Sequence, residues 1–164
     1  MPASNWRWYG VAMLAALLDQ FTKVVIASTF ELAEQVPVSA FFNLVYVLNP
    51  GAAFSFLAEA GGWQRYFFIV LALLVSVWLV FMLRIQRSRN EALGLSLVLG
   101  GAVGNVLDRI ATGKVVDFLD FYWNGVHWPA FNLADVFINA GVALLLVATF
   151  RENSSQTVPG RPGT

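Results

Sequence analysis

Cysteine is absent from this chain of 164 residues, and histidine occurs once. Without cysteine the chain can form no disulfide, no thiolate metal site and no thiol nucleophile. The single histidine, His127, excludes a histidine-based zinc site, and any serine–histidine relay would have to run through it. His127 stands beside Trp128-Pro129, and we interpret it as a residue of an interfacial loop. We expect neither a metal ion nor another cofactor.

Charge is also scarce. Charged residues make up 12% of the chain, about half the share of an average globular protein. Ten basic and ten acidic residues give a net charge of zero, so nothing indicates a nucleic-acid partner. Hydrophobic residues make up 58%, and the mean hydropathy is +0.65. This composition is typical of an integral membrane protein, and the length indicates one domain.

Four apolar stretches approach the ~20 residues that a helix needs to cross a bilayer. They cover roughly residues 9–26, 66–83, 92–110 and 133–150. The first contains Asp19 and Lys23 and no clear small-residue cleavage site follows it, so we interpret it as a retained span rather than a secretory signal. The predicted fold is therefore a mainly α membrane protein: one domain over residues 1–150 with four transmembrane helices, followed by a disordered cytoplasmic tail over residues 151–164.

The basic residues predict the orientation of the spans. Arginines precede the first span, fill the second connection and follow the fourth span, at positions Arg7, Arg84, Arg87, Arg89 and Arg151. The first connection instead carries Glu31, Glu34 and Glu59 against Arg65. The positive-inside rule then places both termini in the cytoplasm and the two longer connections outside.

The outer connections have their own structural signals. Residues 36–48 alternate enough to be strand-like, Asn49-Pro50-Gly51 is typical of a turn, and residues 52–60 favour a short interfacial helix that ends at Gly61-Gly62. Asn124-Gly125 lies between apolar runs and predicts a type I′ hairpin. We expect a small β-sheet over the outer membrane surface.

The hairpin predicts which residues face each other. With 124 and 125 in the turn, the opposed pairs are 123 with 126, 121 with 128, 119 with 130 and 117 with 132. The hairpin therefore carries Asp117 back to Asn132, where the last apolar stretch begins. Asn132 with Asp135 three residues later resembles a helix N-cap followed by an acid in the first turn. Two carboxylates are thus predicted to converge at the mouth of a membrane helix.

Three spans place their polar residues in the outer half of the bilayer. These residues are Asp19 and Lys23 in the first span, Asn105, Asp108 and Arg109 at the end of the third, and Asn132, Asp135 and Asn139 at the start of the fourth. Unpaired polar groups are costly at this depth. The placement of polar residues from three spans in the same half of the bilayer is the strongest functional signal in the sequence.

Most of these residues also have a structural interpretation. Asp19 and Lys23 stand four residues apart in the favourable order for an ion pair within one helix. Arg109 is suited to holding carbonyls or carboxylates, and Asn49 is suited to a turn. Gly100, Gly101 and Gly104 have close-packing spacing and are predicted to serve helix contact. Asp117 or Asp135, taken singly, could be an ordinary loop acid or first-turn acid, and only the pair has no such explanation.

A pair of neighbouring carboxylates has a recognised chemistry. The two cannot both ionise easily, so one proton is shared between them. One can then take a proton from water while the other gives one to a carbonyl or a leaving amine, which suits peptide hydrolysis without cysteine, serine–histidine or metal. The helix dipole predicts that Asp135 carries the negative charge and that Asp117 is mostly protonated near neutral pH. The same residues are also compatible with an ion pathway, and the residues alone leave that alternative open.

Five sequence blocks resemble those of a known family. They are DQFTK (19–23), NPGAAFS (49–55), GGAVGNVLDR (100–109), VVDF (115–118) and FNLAD (131–135). Together they resemble the lipoprotein signal peptidases, the type II signal peptidases of bacteria, with no departure at a motif position.

The resemblance implies an aspartic endopeptidase that removes the signal peptide from prolipoproteins, immediately before a cysteine bearing diacylglycerol. Its catalytic pair would be Asp117 and Asp135. Substrate-binding or supporting residues would be Asn49, Gly51, Asn105, Arg109, Asn132 and Ala134, and structural polar residues would be Asp19, Lys23 and Asp108.

The resemblance also implies a location and partners. We expect a multi-pass protein of the bacterial inner membrane, with the active site near the periplasmic face. Expected partners are prolipoproteins, membrane lipid and a cyclic peptide inhibitor such as globomycin, with the chain acting as a monomer.

The rival interpretation is a small transporter or channel subunit. Such a protein needs polar groups along the whole depth of its pathway. Here the cytoplasmic halves of the four spans are nearly free of charge, which argues against a pathway. A purely structural anchor would leave the convergence of polar residues unexplained.

Overall fold

A computed structural model describes residues 5–51, 63–85 and 87–156 of the chain. Within these residues the elements follow in the order α1 (Trp6–Thr29), β1 (Gln35–Ser39), β2 (Phe42–Asn49), α2 (Trp63–Met82), α3 (Arg89–Ala111), β3 (Val115–Trp123), β4 (Val126–His127) and α4 (Leu133–Gln156). The predicted interfacial helix at 52–60 and its Gly61-Gly62 stop lie outside the described residues.

The four helices confirm the four predicted spans. Each is long and apolar enough to cross a membrane. Their lengths of 24, 20, 23 and 24 residues correspond to about 30–36 Å at a rise of about 1.5 Å per residue. Helix α4 continues to Gln156, so residues 151–156 are helical where the sequence predicted a disordered tail. The remainder of that tail lies outside the described residues.

Helix α3 is the centre of the bundle and packs against α1, α2 and α4. Its glycines allow the close approach, because a Cβ on Gly100 would come within 2.5 Å of the Ala12 carbonyl oxygen and one on Gly94 within 2.8 Å of the Gly141 carbonyl oxygen. A Cβ on Gly101 would collide with the Ala134 carbonyl of α4, and one on Gly104 with Asp19 of α1. These contacts confirm the predicted role of the glycines at positions 100, 101 and 104.

The apolar core occupies the end of the bundle opposite to the polar residues. It joins α1, α2 and α3 through Trp8, Ala12, Leu79, Leu83, Ala92, Leu95 and Leu99. At its edge the Tyr9 hydroxyl donates a hydrogen bond to the Val80 carbonyl at 2.9 Å. The capping box of Ser88 and Glu91 fixes the start of α3 at the same end. Large apolar side chains of α1 and α2 remain exposed, as a lipid environment requires.

The four strands form one antiparallel sheet in the order β1-β2-β3-β4. The stretch predicted as one strand at 36–48 is a hairpin, in which Val36 pairs with Leu44 and the chain turns at residues 40 and 41. No Asn-Gly or Pro-Gly step marks this turn, so the chain carries no local signal for it. Between Leu44 and Val47 the pairing of β2 with β3 shifts by one residue, which forms a β-bulge.

The predicted hairpin after β3 is confirmed at its turn and wrong further along. Asn124 and Gly125 both have positive φ (48° and 77°), and residues 123 and 126 face each other. Beyond Pro129 the pairing slips by one residue, so Leu119 faces Phe131 rather than residue 130. Proline has no N–H to continue the ladder, which accounts for the slip. His127 lies on β4 rather than in a loop.

Candidate active site

The predicted polar residues meet where α3 ends, α4 begins and the sheet covers the bundle. Asp117 lies on β3 and is 3% exposed. Its Oδ2 accepts a hydrogen bond from Asn49 Nδ2 at 3.0 Å, and its Oδ1 accepts one from Asn132 Nδ2 at 2.7 Å. The one-residue shift of pairing beyond Pro129 therefore does not separate Asp117 from Asn132, because the Asn132 side-chain amide still reaches the Asp117 carboxylate. Two strands and one helix start hold this carboxyl group.

Burial raises the pKa of Asp117 from 3.8 to about 6. The hydrogen bonds from Asn49 and Asn132 act in the opposite direction, and the nearby charge of Asp135 adds to the increase. The direction is the predicted one. Which of the two carboxyl groups holds the proton near neutral pH stays a prediction.

Asp135 lies in the first turn of α4, as predicted. Its Oδ2 accepts the Asn132 N–H at 3.2 Å, while the Asn132 Oδ1 accepts the Asp135 N–H at 3.1 Å. This reciprocal pair is a capping box and confirms Asn132 as the N-cap. The Oδ1 of Asp135 accepts a further hydrogen bond from Asn105 Nδ2 at 2.9 Å. Asn139, one turn further on, is exposed and donates to the Asp135 carbonyl.

Asn132 and Asn105 link the two carboxyl groups. Asn132 Nδ2 donates both to Asp117 Oδ1 and to Asn105 Oδ1, the latter at 3.2 Å. A continuous chain of hydrogen bonds thus runs from Asp117 through Asn132 and Asn105 to Asp135. The carboxyl groups lie close enough for the charge of one to act on the other. This arrangement can hold one proton between them and exchange it with a substrate.

Lys23 holds Asn105, and with it this chain of hydrogen bonds, in place. Its Nζ contacts Asp19 Oδ2 at 2.8 Å, Asp108 Oδ2 at 3.0 Å and Asn105 Oδ1 at 3.0 Å, which uses all three ammonium donors. Asp19 is fully buried, and its Oδ1 accepts the Ala134 N–H at 2.8 Å. That N–H belongs to the first turn of α4 and has no partner within the helix. Asp19 and Lys23 therefore form the predicted ion pair, and they also fix α4 and Asn105.

Asp108 ties α3 to the start of β3. Besides Lys23, its carboxylate accepts the Val116 N–H at 3.2 Å. Gln20 is a member of this network that the sequence reasoning missed, since its Nε2 donates to Asp108 Oδ1 at 2.8 Å and to the Gly104 carbonyl at 3.0 Å. Its place directly after Asp19 in the first motif was the available signal.

Gly51 orients the amide of Asn49. Its N–H donates to Asn49 Oδ1 at 2.9 Å, which directs the Asn49 NH₂ group towards Asp117. Gly51 has φ of +104°, and a Cβ there would lie 2.7 Å from the Phe68 ring, so a side chain is excluded on both grounds. Phe68 of α2 is a second residue that the sequence reasoning missed. No spacing rule marks one phenylalanine among the apolar residues of a span.

Arg109 completes the site at the end of α3. Its guanidinium lies 5.3 Å from the Phe68 ring centroid, and Nη1 donates to the Asn105 carbonyl at 3.4 Å. Its charge interacts with those of Asp135 and Asp117. Nε is buried and has no hydrogen-bond partner among the described residues. The structure therefore brings together every predicted site residue, from α1, β2, α3, β3 and α4.

Known proteins resemble this chain over almost its whole length. The family model described as Signal peptidase (SPase) II matches residues 11–151. A lipoprotein signal peptidase of Cupriavidus necator is 54% identical over 145 residues, which cover 88% of this chain and 83% of the relative. One of Aeromonas hydrophila is 49% identical over 158 residues, which cover 94% and 95%.

The fold has a counterpart among solved structures. A structure described as a bacterial membrane enzyme, solved by the in meso method at 2.3 Å resolution, superposes with a TM-score of 0.82 at 30% identity and covers 95% of this chain and 94% of its own. The family match includes both aspartates and reaches into all four membrane helices. On this similarity and extent of coverage, the chain belongs to the lipoprotein signal peptidases.

Proposed function

We propose that this peptidase is of the aspartic type and that Asp117 and Asp135 are its catalytic pair. The observation that carries the proposal is the chain of hydrogen bonds through Asn132 and Asn105, which links two carboxyl groups from different elements. Neither carboxyl group pairs with Lys23, whose three donors are taken by Asp19, Asp108 and Asn105. The pair is therefore left available for proton transfer.

The proposed reaction uses the pair as acid and base in turn. The ionised carboxylate takes a proton from a water molecule as its oxygen attacks the scissile carbonyl carbon, and the protonated one gives its proton to the carbonyl oxygen. The resulting tetrahedral intermediate breaks its C–N bond when the nitrogen receives a proton from the pair. A pKa of about 6 suits Asp117 to the acid role, because a catalytic acid works best with a pKa near the operating pH.

The supporting residues act through the pair in this proposal. Asn49 and Asn132 hold Asp117, Asn105 and Asn132 hold Asp135, and Gly51 aims Asn49. Arg109 supplies a positive charge beside the developing oxyanion. Ala134 presents the N–H that Asp19 accepts, while Asp19, Lys23 and Asp108 keep the scaffold in place.

The location of the site fits the substrate of this family. A prolipoprotein with a lipid-modified cysteine and a spanning signal helix presents its scissile bond near the outer membrane interface. The proposed pair lies at one end of the bundle, against the sheet and opposite to the apolar core. With both termini in the cytoplasm of a bacterial inner membrane, that end is periplasmic. A cyclic peptide inhibitor such as globomycin is expected at the same site, and the chain is expected to act as a monomer.

The transporter alternative finds no support in the packing. A polar pathway would have to continue from the site between α1, α2 and α3 to the opposite face. The described residues at that end form an apolar core of leucine, alanine and tryptophan side chains. A site at one membrane face fits this arrangement better than a pore.

Substitution of the two aspartates tests the proposal. The assay uses the purified full-length chain in detergent and a diacylglyceryl-modified prolipoprotein, with cleavage followed by gel mobility. Asp117→Asn and Asp135→Asn should each lower turnover by a factor of about 10³ or more, since neither amide can exchange the proton. The matched control is Glu31→Gln, an acid-to-amide change at an exposed position, which should leave turnover unchanged. Near-parental turnover of either aspartate variant would contradict the assignment.

A further inference from the structure

Arg109 is held in the site by few hydrogen bonds. Its side chain is half-buried, and its hydrogen bonding to the described residues is limited to one long contact, from Nη1 to the Asn105 carbonyl at 3.4 Å. The charges of Asp117 and Asp135 act on the guanidinium, yet no carboxylate in the described part of the chain forms an ion pair with it. An arginine that serves only as scaffold normally uses its planar fork of donors on a carboxylate. Another contact must therefore fix this guanidinium.

The aromatic ring of Phe68, on α2, supplies that contact. Arg109 Cζ lies over the ring, 5.3 Å from its centroid, which is within the range of a cation–π interaction. The ring is itself held on two sides. Phe67 packs edge-on against it, with centroids 5.4 Å apart and an angle of 71°, and Gly51 lies so close to its edge that a Cβ there would come within 2.7 Å of Cδ2. A ring fixed in this way can fix the guanidinium in turn.

A second contact between α2 and α3 sets the distance between Phe68 and Arg109. Arg65 precedes Phe68 by three residues, so the two side chains lie on the same face of α2. Arg65 Nη2 donates to the Ile110 carbonyl at 2.9 Å, in the last turn of α3. A Cβ on Gly113 would lie 3.0 Å from Arg65 Nη1, so the chain after α3 also packs against this side chain. One face of α2 thus holds two consecutive residues at the end of α3.

The kind of partner decides what Arg109 can do. A carboxylate would occupy the N–H donors of the guanidinium and cancel its charge, whereas an aromatic ring attracts the cation through its π-electrons and leaves the N–H groups free. A positive charge with free donors beside two carboxyl groups can bind a carbonyl oxygen of the substrate and stabilise the negative charge that develops on it. We infer that Phe68 is a positioning residue of the peptidase, whose ring holds Arg109 so that its donors remain available to the substrate. The inference rests on the proposed function, in which Arg109 acts beside the developing oxyanion.

Graded change of the electron density of the ring tests the inference. Position 68 of the full-length chain receives 4-methyl-, 4-fluoro- or 4-cyanophenylalanine by nonsense suppression, so that only the para position differs from Phe68. In the prolipoprotein assay kcat should stay parental with the methyl group, fall slightly with fluorine and fall about 10-fold with the cyano group, which withdraws most electron density. KM should change little, because Arg109 acts on the transition state. Phe68→Leu, which has no ring, should lose at least as much kcat as the cyano variant.

A matched control pair lies on the same helix. Arg84 Cζ lies over the Phe81 ring, 5.0 Å from its centroid, at the end of α2 opposite to the site. The same substitutions at position 81 alter a cation–π contact of the same kind without touching Arg109. They should keep the parental kcat.

The Arg109→Gln background shows whether the ring acts through the guanidinium. This variant should itself lose about 10²-fold in kcat, because the amide carries no charge to stabilise the oxyanion. The substitutions at position 68 should then have no graded effect, since the ring has no cation to hold. A series that remains graded in Arg109→Gln would overturn the inference, because the ring would be acting on another group.

NMR measures the position of the guanidinium without reference to activity. In the full-length protein with nitrogen-15-labelled arginine in detergent, the Nε–H resonance of Arg109 is assigned by its absence from Arg109→Lys. The ring current of Phe68 should displace this resonance, and Phe68→Leu should return it towards those of the exposed arginines. Phe81→Leu should leave it in place.

The two readouts separate the possible failures. An unmoved Arg109 resonance in folded Phe68→Leu protein would contradict the inference. A moved resonance with parental kcat throughout the series would contradict it as well, because the ring contact would then contribute nothing to the reaction. Parental turnover of Asp117→Asn, together with a graded series and a moved resonance, would instead remove the catalytic pair and uphold the role of Phe68.

Discussion

Two opposing effects set the pKa of the Asp117 carboxyl group. Burial under the sheet disfavours its ionised form, while the amides of Asn49 and Asn132 each donate to one of its oxygens and favour that form. The balance is a pKa of about 6, between that of an exposed aspartate and that of an unassisted buried one. A carboxyl group in this range can give up and regain a proton at little cost, as the proposed reaction requires.

The raised pKa of Asp117 predicts that the stability of the folded protein depends on pH. The folded-state pKa of Asp117, about 6, exceeds its ordinary value of 3.8, so the contribution of this group to stability is fully present below pH 3.8 and is lost as pH rises through about 6. The loss amounts to about 3 kcal/mol by pH 8. Asp117→Asn cannot ionise, so its Tm in detergent should exceed that of the parent at pH 8 by several degrees and approach it near pH 4. An equal difference at both pH values would contradict this account.

Asp19 is predicted to affect stability more than catalysis. Asp19→Asn leaves Lys23 buried, still charged and with one anionic partner fewer, which costs about 3–5 kcal/mol for a buried pair. We expect a clearly lowered Tm and yield, with turnover per folded molecule retained within about tenfold. Thermal unfolding and the cleavage assay on the same preparation measure both. Unchanged Tm with lost turnover would move Asp19 into the catalytic machinery.

At the scale of elements, the parts that the sequence predicted are those set by local rules. Four apolar runs predicted the four spans, Asn124-Gly125 predicted the turn, and the spacing of Asn132 and Asp135 predicted the helix cap. These features depend on length, on positive φ and on i to i+3 spacing, all of which are visible in the chain.

The features that could not be predicted depend on partners distant in the chain. The turn at residues 40 and 41 has no signature residue, the bulge in β2 depends on how β2 pairs with β3, and Asn43 bonds to Asp120, 77 residues away. The one-residue shift of pairing beyond Pro129 could be predicted only by knowing which strand residues must donate a main-chain N–H to the ladder. The hydrogen bond of Gln20 to Asp108 and the ring contact of Phe68 with Arg109 arise from helix packing, which periodicity does not reveal.

The contact between α1 and α3 gives a prediction at this scale. Gly100→Ala places a Cβ 2.5 Å from the Ala12 carbonyl oxygen and 2.6 Å from the Ala15 Cβ, so the helices must separate, at a cost of about 1–3 kcal/mol. Gly10→Ala is the matched control, because no heavy atom lies within 4 Å of its added Cβ. Alanine favours a helix over glycine by up to about 1 kcal/mol, so the control should be neutral or stabilising. Equal Tm values for the two variants would refute the close approach.

The whole molecule divides its chemistry between two ends. The end with Trp8, Leu83 and the Ser88 cap has an apolar interior, and the opposite end holds the carboxylates, amides and sheet. Buried charges are tolerated there because every carboxylate and ammonium group of the Asp19–Lys23–Asp108 cluster has a partner within 3.0 Å. A peptidase for a lipid-anchored substrate needs its water and its proton donors at one membrane face, and this division supplies them.

That division, together with the arginine distribution, predicts which end faces which compartment. Val126 on β4 is exposed at the sheet end, and Ile85 between α2 and α3 is exposed at the arginine-rich end. In the chain without native cysteine, Val126→Cys should react with a membrane-impermeant maleimide added to intact spheroplasts, and Ile85→Cys should react after the membrane is permeabilised. Both variants should retain the parental turnover, since neither residue touches the site. Labelling of Ile85→Cys before permeabilisation, with Val126→Cys protected, would reverse the orientation and place the catalytic pair at the cytoplasmic face, where a periplasmic lipoprotein precursor does not present its cleavage site.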